Sequence, residues 1–194
     1  MGEIDESALI KRVKNGDLEA FSELVKRYEK KAFNFTYRML KDAHLAEDAA
    51  QEAFLRVFTK IDTFRGNSSF STWFYTILNN ICLDILRKKS RHPDTVSIGQ
   101  TSSDDEEYEL QIEDKGIGPH ESIEKKEAMN LLENALSKLS DEHRAVIILR
   151  DIEGREYEQI AKILDISLGT VKSRLSRARL ALRKILEEEK ELFL

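Results

Sequence analysis

Cysteine is nearly absent. The single thiol, Cys82, lies inside an apolar helical pattern, so no disulfide framework can form within the chain and a reducing compartment is its natural home. Proline and glycine are scarce, at 2 and 8 of 194 residues. That scarcity argues against the closely spaced turns of a sheet protein and for helices. No apolar run approaches the ~20 residues needed to cross a bilayer. The N-terminus, MGEIDESALIKRV, carries acids where a secretory leader carries cations and a long apolar core. A cytoplasmic protein with no membrane contact of its own is expected. The four histidines, His44, His92, His120 and His143, are scattered without metal-ligand spacing. There is no phosphate-binding glycine loop and no nucleophile elbow. A non-enzymatic chain with no cofactor and no metal is therefore expected.

Charge is abundant, at 35% of residues with a net of −5, and unevenly placed. Residues 1–92 carry 16 Lys+Arg against 13 Asp+Glu, and residues 125–194 carry 14 against 13. Residues 93–124 carry 1 against 10, so the net acidity comes from this one segment. It also holds both prolines, Pro93 and Pro119, and the polar run QTSSDDEEYEL. Such a stretch buries too little apolar surface to offset its ordering entropy. The fold class expected is all-α: two small helical domains, 1–92 and 125–194, joined by a flexible acidic linker, 93–124.

In the first block, Phe21, Leu24, Val25, Tyr28, Ala32, Phe35 and Met39 recur at three- and four-residue steps after a potential cap at Asp17, the signature of one helix face. A break at Lys41–Asp42 precedes a second stripe, Leu45, Ala49, Ala53, Val57, Phe58 and Ile61. After a loop at Gly66–Ser69, a third helix runs from about Ser71 to Ser90. The run FRGNSSFSTWFY is crowded with aromatics, and the cations Arg65, Arg87 and Lys88 lie in or beyond it. Aromatics beside cations suit the capture of single-stranded nucleic acid. Phe74 fits the core stripe of its helix and is expected to be buried, while Trp73 fits either role. Asn79 and Asn80 are out of place on an apolar helix, which points to a polar duty.

The stretch YEQIAKILDISLGTVKSRLSRAR has the layout of a helix-turn-helix. Ile160, Ala161 and Leu164 would face inward, Ile166 would plug the turn, and Val171 and Leu175 would seat the second helix. Asp165 stands where many such turns carry glycine. From Ile166 to Leu186 there are six basic residues and no acid. At about 100° per residue, Gly169, Ser173 and Ser176 form a thin strip opposite the apolar side, with cations on its shoulders. A major groove requires that arrangement: small groups near base edges, cations near phosphates.

EGREYEQIAKILDISLGTVKSRLSRARLALRK resembles region 4 of RNA polymerase sigma factors, most strongly over GTVKSRLSRAR, which is similar to the extracytoplasmic-function (ECF) group of the sigma-70 family. LAEDAAQEAFLRVFTKI is similar to region 2.2, and FRGNSSFSTWFYTILNNICLDILRKKSR to regions 2.3 and 2.4. The resemblance implies a transcription initiation factor that directs core RNA polymerase to promoter DNA. For the −35 element it implies Lys172, Ser173, Arg174, Ser176 and Arg177 toward the groove, with Arg179 and Arg183 on phosphates. For the −10 element it implies Arg65, Gly66, Asn67, Ser68, Ser69, Trp73, Asn80, Arg87 and Lys88. For the polymerase it implies Glu47, Asp48, Gln51, Glu52 and Arg56. It further implies control by an anti-sigma factor in a stress or cell-envelope regulon. The acidic linker would thread near the RNA exit path, either standing in for the anionic transcript or serving only as a tether. The absence of an additional domain between the two blocks selects the minimal group. An autonomous helix-turn-helix regulator is the alternative, but no dimer interface or ligand pocket is evident.

Overall fold

The computed structural model describes residues 5–91 and 119–192, and these contain helices and turns but no strand. The acidic stretch 93–118, the bulk of the expected linker, lies outside the described residues. The first block comprises α1 (Glu6–Lys14), α2 (Leu18–Leu40), α3 (Ala43–Lys60), a short 3-10 turn (Ile61–Thr63) and α4 (Phe70–Arg91). Each boundary has a local cause. The Asp17 carboxylate accepts the Ala20 amide at 3.0 Å and opens α2. Lys41, in the left-handed region at φ 55°, ends α2. The Asp42 carboxylate accepts the Leu45 amide at 3.0 Å and opens α3, and the Ser69 hydroxyl accepts the Thr72 amide at the start of α4. Such caps satisfy amides that the helix itself leaves unpaired.

Ala46, Ala49, Ala50 and Ala53 are all buried on α3. Their small size lets α2 approach closely enough for the Thr36 hydroxyl to donate to the Ala46 carbonyl at 2.9 Å. Phe35, Met39, Val57, Phe74 and Leu78 fill the interior at 0% exposure. The Phe74 ring meets Tyr28, Phe54 and Phe70, so Phe74 is core, as its periodicity predicts.

The second block comprises α5 (Pro119–Ser137), α6 (Asp141–Ile147) continuing through a π turn (Ile148–Ile152), α7 (Tyr157–Leu164) and α8 (Leu168–Leu192). α5 begins inside the stretch assigned from sequence to the linker. Proline suits the first helical position, where its missing N–H costs nothing. Leu136, Ile147, Ile148, Leu149, Ile160 and Val171 are buried, each side chain contributing about 1.5–3 kcal/mol before entropy is counted. Ile163, absent from the expected inward set, is buried as well, whereas Ala161 and Leu164 are only partly covered. Asp165 adopts φ 52°, the left-handed conformation for which glycine is usual and Asp is among the tolerated exceptions.

The blocks pack on each other, α4 against α7 and α2 against α5 and α6, and their buried side chains form one continuous cluster. Arg144 lies at the centre of the second contact, 7% exposed. Its guanidinium donates to the Leu136, Ser137 and Leu139 carbonyls at 3.0, 3.0 and 2.9 Å, closing the C-terminal end of α5, and to Met39 of α2 at 2.6 Å.

Candidate nucleic-acid and partner interfaces

α7, a three-residue turn and α8 form the expected helix-turn-helix. The Ser167 hydroxyl accepts the Thr170 amide at 3.1 Å and starts α8. Val171, Leu175 and Ala178 bury one side, which turns Gly169, Lys172, Ser173, Ser176 and Arg177 outward, all exposed. The thin strip with flanking cations is therefore present on the surface.

Two arginines depart from the expected sorting. Arg174, expected toward the groove, lies on the shoulder of α8 that faces α6, pairs with Glu142 at 3.1 Å, and has a side chain only 19% exposed. In this state it braces α8 rather than facing outward. Arg179, expected on phosphate, makes a two-pronged contact with Asp151, its Nε donating at 3.0 Å, and this hydrogen bonding raises its pKa further. Arg183 is exposed. Leu180, 69% exposed, continues the outward strip one turn beyond Ser176 and Arg177. Its apolar character on a polar face was the available signal for it.

In the first block, Arg65, Gly66, Asn67 and Ser69 are exposed and Ser68 is half-buried. Gly66 has φ +74° with open space around a would-be Cβ, so backbone conformation rather than crowding favours glycine there. Ser69 also caps α4. Trp73 is half-buried, its ring 5.3 Å from Phe64 and 5.9 Å from Phe70. Asn80 lies two turns along the same face and is exposed. Asn79 is buried, its Oδ1 without a hydrogen-bond partner. Arg87 and Lys88 are exposed at the end of α4, with Arg87 3.2 Å from Asp84. Loop, Trp73 and Asn80 thus share one side of the block, while Phe64, Phe70, Phe74 and Tyr75 belong to the core.

On α3, Glu47, Asp48 and Gln51 are exposed, and Glu52 pairs with Arg56 at 2.8 Å. The sequence reading missed Leu55, 57% exposed in the middle of this polar face, and Phe58, expected in the inward stripe, is instead 46% exposed beside it. The Phe58 ring packs edge-on to Phe21 at 5.0 Å. An apolar centre with a charged rim is the anatomy of a protein-binding patch.

Two family models match the chain: Sigma-70 region 2 over residues 24–92 and Sigma-70, region 4 over residues 129–182. The ECF RNA polymerase sigma factor SigW of Bacillus subtilis is 40% identical over 180 residues, 92% of this chain and 95% of that protein. The chain belongs to the ECF group of sigma-70 factors. The ECF RNA polymerase sigma-E factor of Escherichia coli K12 is 31% identical, covering 93% of each chain. The solved sigma factor RpoE of Bartonella quintana, in complex with the anti-sigma factor NepR, matches with TM-score 0.66 at 27% identity, covering 86% of this chain and 96% of that one. A sigma factor is a non-catalytic initiation subunit that brings core RNA polymerase to promoter DNA. In this sigma factor the region 2 match contains the α3 face and the aromatic-flanked loop, and the region 4 match contains α7, the turn and the outward strip of α8.

The geometry separates three arginines experimentally. Arg177→Ala should cost about 1–3 kcal/mol of −35 discrimination, the scale of a lost bidentate base contact. Arg183→Ala should weaken all sequences alike and reduce the salt slope by about 1. Arg174→Ala should lower thermal stability, because Glu142 loses its partner. Anisotropy titrations of holoenzyme on matched and mismatched duplexes, with melting curves of each variant, check all three; identical behaviour would refute the sorting.

Proposed function

We infer that this sigma factor grips core RNA polymerase through the α3 face of Asp48, Gln51, Glu52 and Leu55. It receives the −10 strand at the Gly66–Ser69 loop with Trp73 and Asn80, and reads the −35 element with the α8 strip around Lys172, Ser173, Ser176 and Arg177. The observation that carries this reading is the pairing, in one chain, of an acid-free recognition strip with an aromatic-backed loop. Neither alone distinguishes a sigma factor from an autonomous regulator. The cytoplasm is its place of action; among the described residues no helix is long and apolar enough to cross a membrane. An anti-sigma factor holds it inactive until an envelope or stress signal arrives, a reading supported by the Bartonella relative's capture with NepR.

Transcription in vitro with core polymerase over a genomic library tests the assignment. Promoter-specific transcripts should appear only when core and this chain are combined, and the chain alone should not shift promoter duplex. Exchanging the Gly66–Ser69 loop should change permanganate reactivity at −10 while holoenzyme still assembles. Duplex binding by the chain alone, with no effect on core, would establish the autonomous regulator instead.

A further inference from the structure

α1 precedes the residues matched to region 2, which begin at 24, and none of the interfaces assigned above includes it. It is nevertheless seated firmly. Leu9, Ile10 and Val13 are buried, and Arg12 pairs with Asp17, the cap of α2, at 2.8 Å. From that seat α1 reaches both ends of the loop assigned to the −10 strand.

At the entry end, Lys14, the last residue of α1, donates from Nζ to the Phe64 carbonyl at 2.5 Å. The same ammonium lies 5.7 Å from the centre of the Phe64 ring. A carbonyl oxygen and a ring face are both electron-rich, so the two attract one cation together. Phe64 is buried, and its ring is the wall against which Trp73 rests, 5.3 Å away. At the exit end, Glu6, in the first turn of α1, accepts from the Tyr28 hydroxyl at 2.8 Å. The Tyr28 ring meets Phe70 edge-on at 5.2 Å, and Phe70 opens α4. Phe64 and Phe70 flank residues 65–69. The loop is thus strung between two aromatic posts, and α1 secures both.

We propose that Lys14 is a positioning residue for −10 strand capture: it holds Phe64, and through it Trp73 and the Gly66–Ser69 loop, in the arrangement that receives the strand. Lys14 does not itself touch DNA, being half-buried with its ammonium committed to Phe64. A lysine suits the task, because its long stem crosses from helix to loop and its head donates in three directions. The gain is preorganisation. A loop anchored at both ends loses less conformational freedom when a strand settles on it. The consequence for the −10 strand rests on the sigma-factor reading above; the anchoring itself does not.

Lys14→Met keeps most of the stem but removes the donor and the charge, and Lys14→Arg restores both. In the full chain, hydrogen exchange at the amides of residues 65–69 should quicken roughly 10-fold in Lys14→Met, the scale of one lost charge-assisted hydrogen bond, and return toward wild type in Lys14→Arg. In holoenzyme, the probe is a fluorescent oligonucleotide carrying the non-template −10 strand of a promoter recovered from the genomic library. Its anisotropy should show affinity falling by a similar factor in Lys14→Met, with the salt slope and the competition for core unchanged. Tyr28→Phe, which keeps the ring but frees Glu6, is a second lesion at the exit end and should quicken the same amides by a smaller factor; circular dichroism reports whether the helices persist. Unchanged loop exchange in Lys14→Met would overturn the proposal, as would strand affinity that responds to swapping the loop but not to Lys14→Met. A salt slope lowered by about 0.7 would overturn it too, since that marks a direct phosphate contact on a single strand. So would a parallel loss of core affinity, the mark of general damage to the block. Quickened exchange with strand affinity indifferent both to Lys14→Met and to swapping the loop would instead defeat the functional reading and leave the anchoring standing.

Discussion

Replacing Arg144 with leucine should lower the unfolding free energy by about 4 kcal/mol, within the range for breaking a buried charged cluster. For a chain of this size, that is a fall in melting temperature of roughly 10 °C or more. The side chain donates to four carbonyls, three at the end of α5 and one on α2. Leucine fills comparable volume but takes this donor from the buried Leu139 and Met39 contacts and from Ser137, and leaves the Leu136 carbonyl with the Leu139 amide at 3.2 Å. Burial presses the Arg144 pKa downward from the usual arginine value, which reflects how little water reaches the group. Arg144→Lys should recover only part of the loss, since an ammonium cannot reproduce the planar fork. Urea unfolding followed by circular dichroism measures both variants; a leucine variant within 1 kcal/mol of wild type would show that the carbonyls find other donors.

Arg144 also marks what sequence reasoning could reach. The helices, their order and the Asp17 cap were legible, because that cap and the apolar periodicities are local signals. Phe74 and the seat of α8 at Val171 and Leu175 followed from spacing alone. The contacts that join the blocks were not legible. Arg38 to Glu133, Arg144 to Met39 and Tyr75 to Glu153 bridge 95, 105 and 78 positions, and no periodicity records a pair so distant. Arg174 shows the limit of counting angles: it sits at the edge of the outward strip, and only the position of Glu142 on α6 decides which way it turns. Leu55 was within reach, since an apolar residue on the polar face of α3 is visible in the sequence. Among the site residues, the structure brings the loop, Trp73 and Asn80 to one side and gathers Asp48, Gln51 and Glu52 on another. It withdraws Arg174 and Arg179 into ion pairs.

Reversing Asp48 and Glu52 to lysine should weaken assembly with core polymerase on the order of 100-fold, about 2.7 kcal/mol, as expected when like charges replace complementary ones across an interface. Both acids flank Leu55 on an exposed face, and neither supports the core, so the helical signal should be unchanged. Glu52 gives up only its exposed i,i+4 partner Arg56, a loss of a few tenths of a kcal/mol. Leu55→Ser should produce a smaller loss of the same kind without altering its salt dependence. Competition for core against a second, labelled sigma factor reads the affinity directly. Unchanged competition by the double reversal would remove this face from the polymerase interface.

The π turn at Ile148–Ile152 places one residue more in its turn than an α-helix would. Upstream of it, Glu142 and Arg144 secure α6 to α8, α5 and α2. Downstream, Asp151, Glu153 and Arg155 meet Arg179, Tyr75 and Ser71. These two sets are in phase only because of the additional residue. Excising one position there would relax the turn to α geometry but swing the downstream set by about 100° relative to the upstream one. At this place the chain is constrained in length as well as in composition: Ile148 and Leu149 are held by burial, and the number of positions cannot change without uncoupling the two ends of the segment.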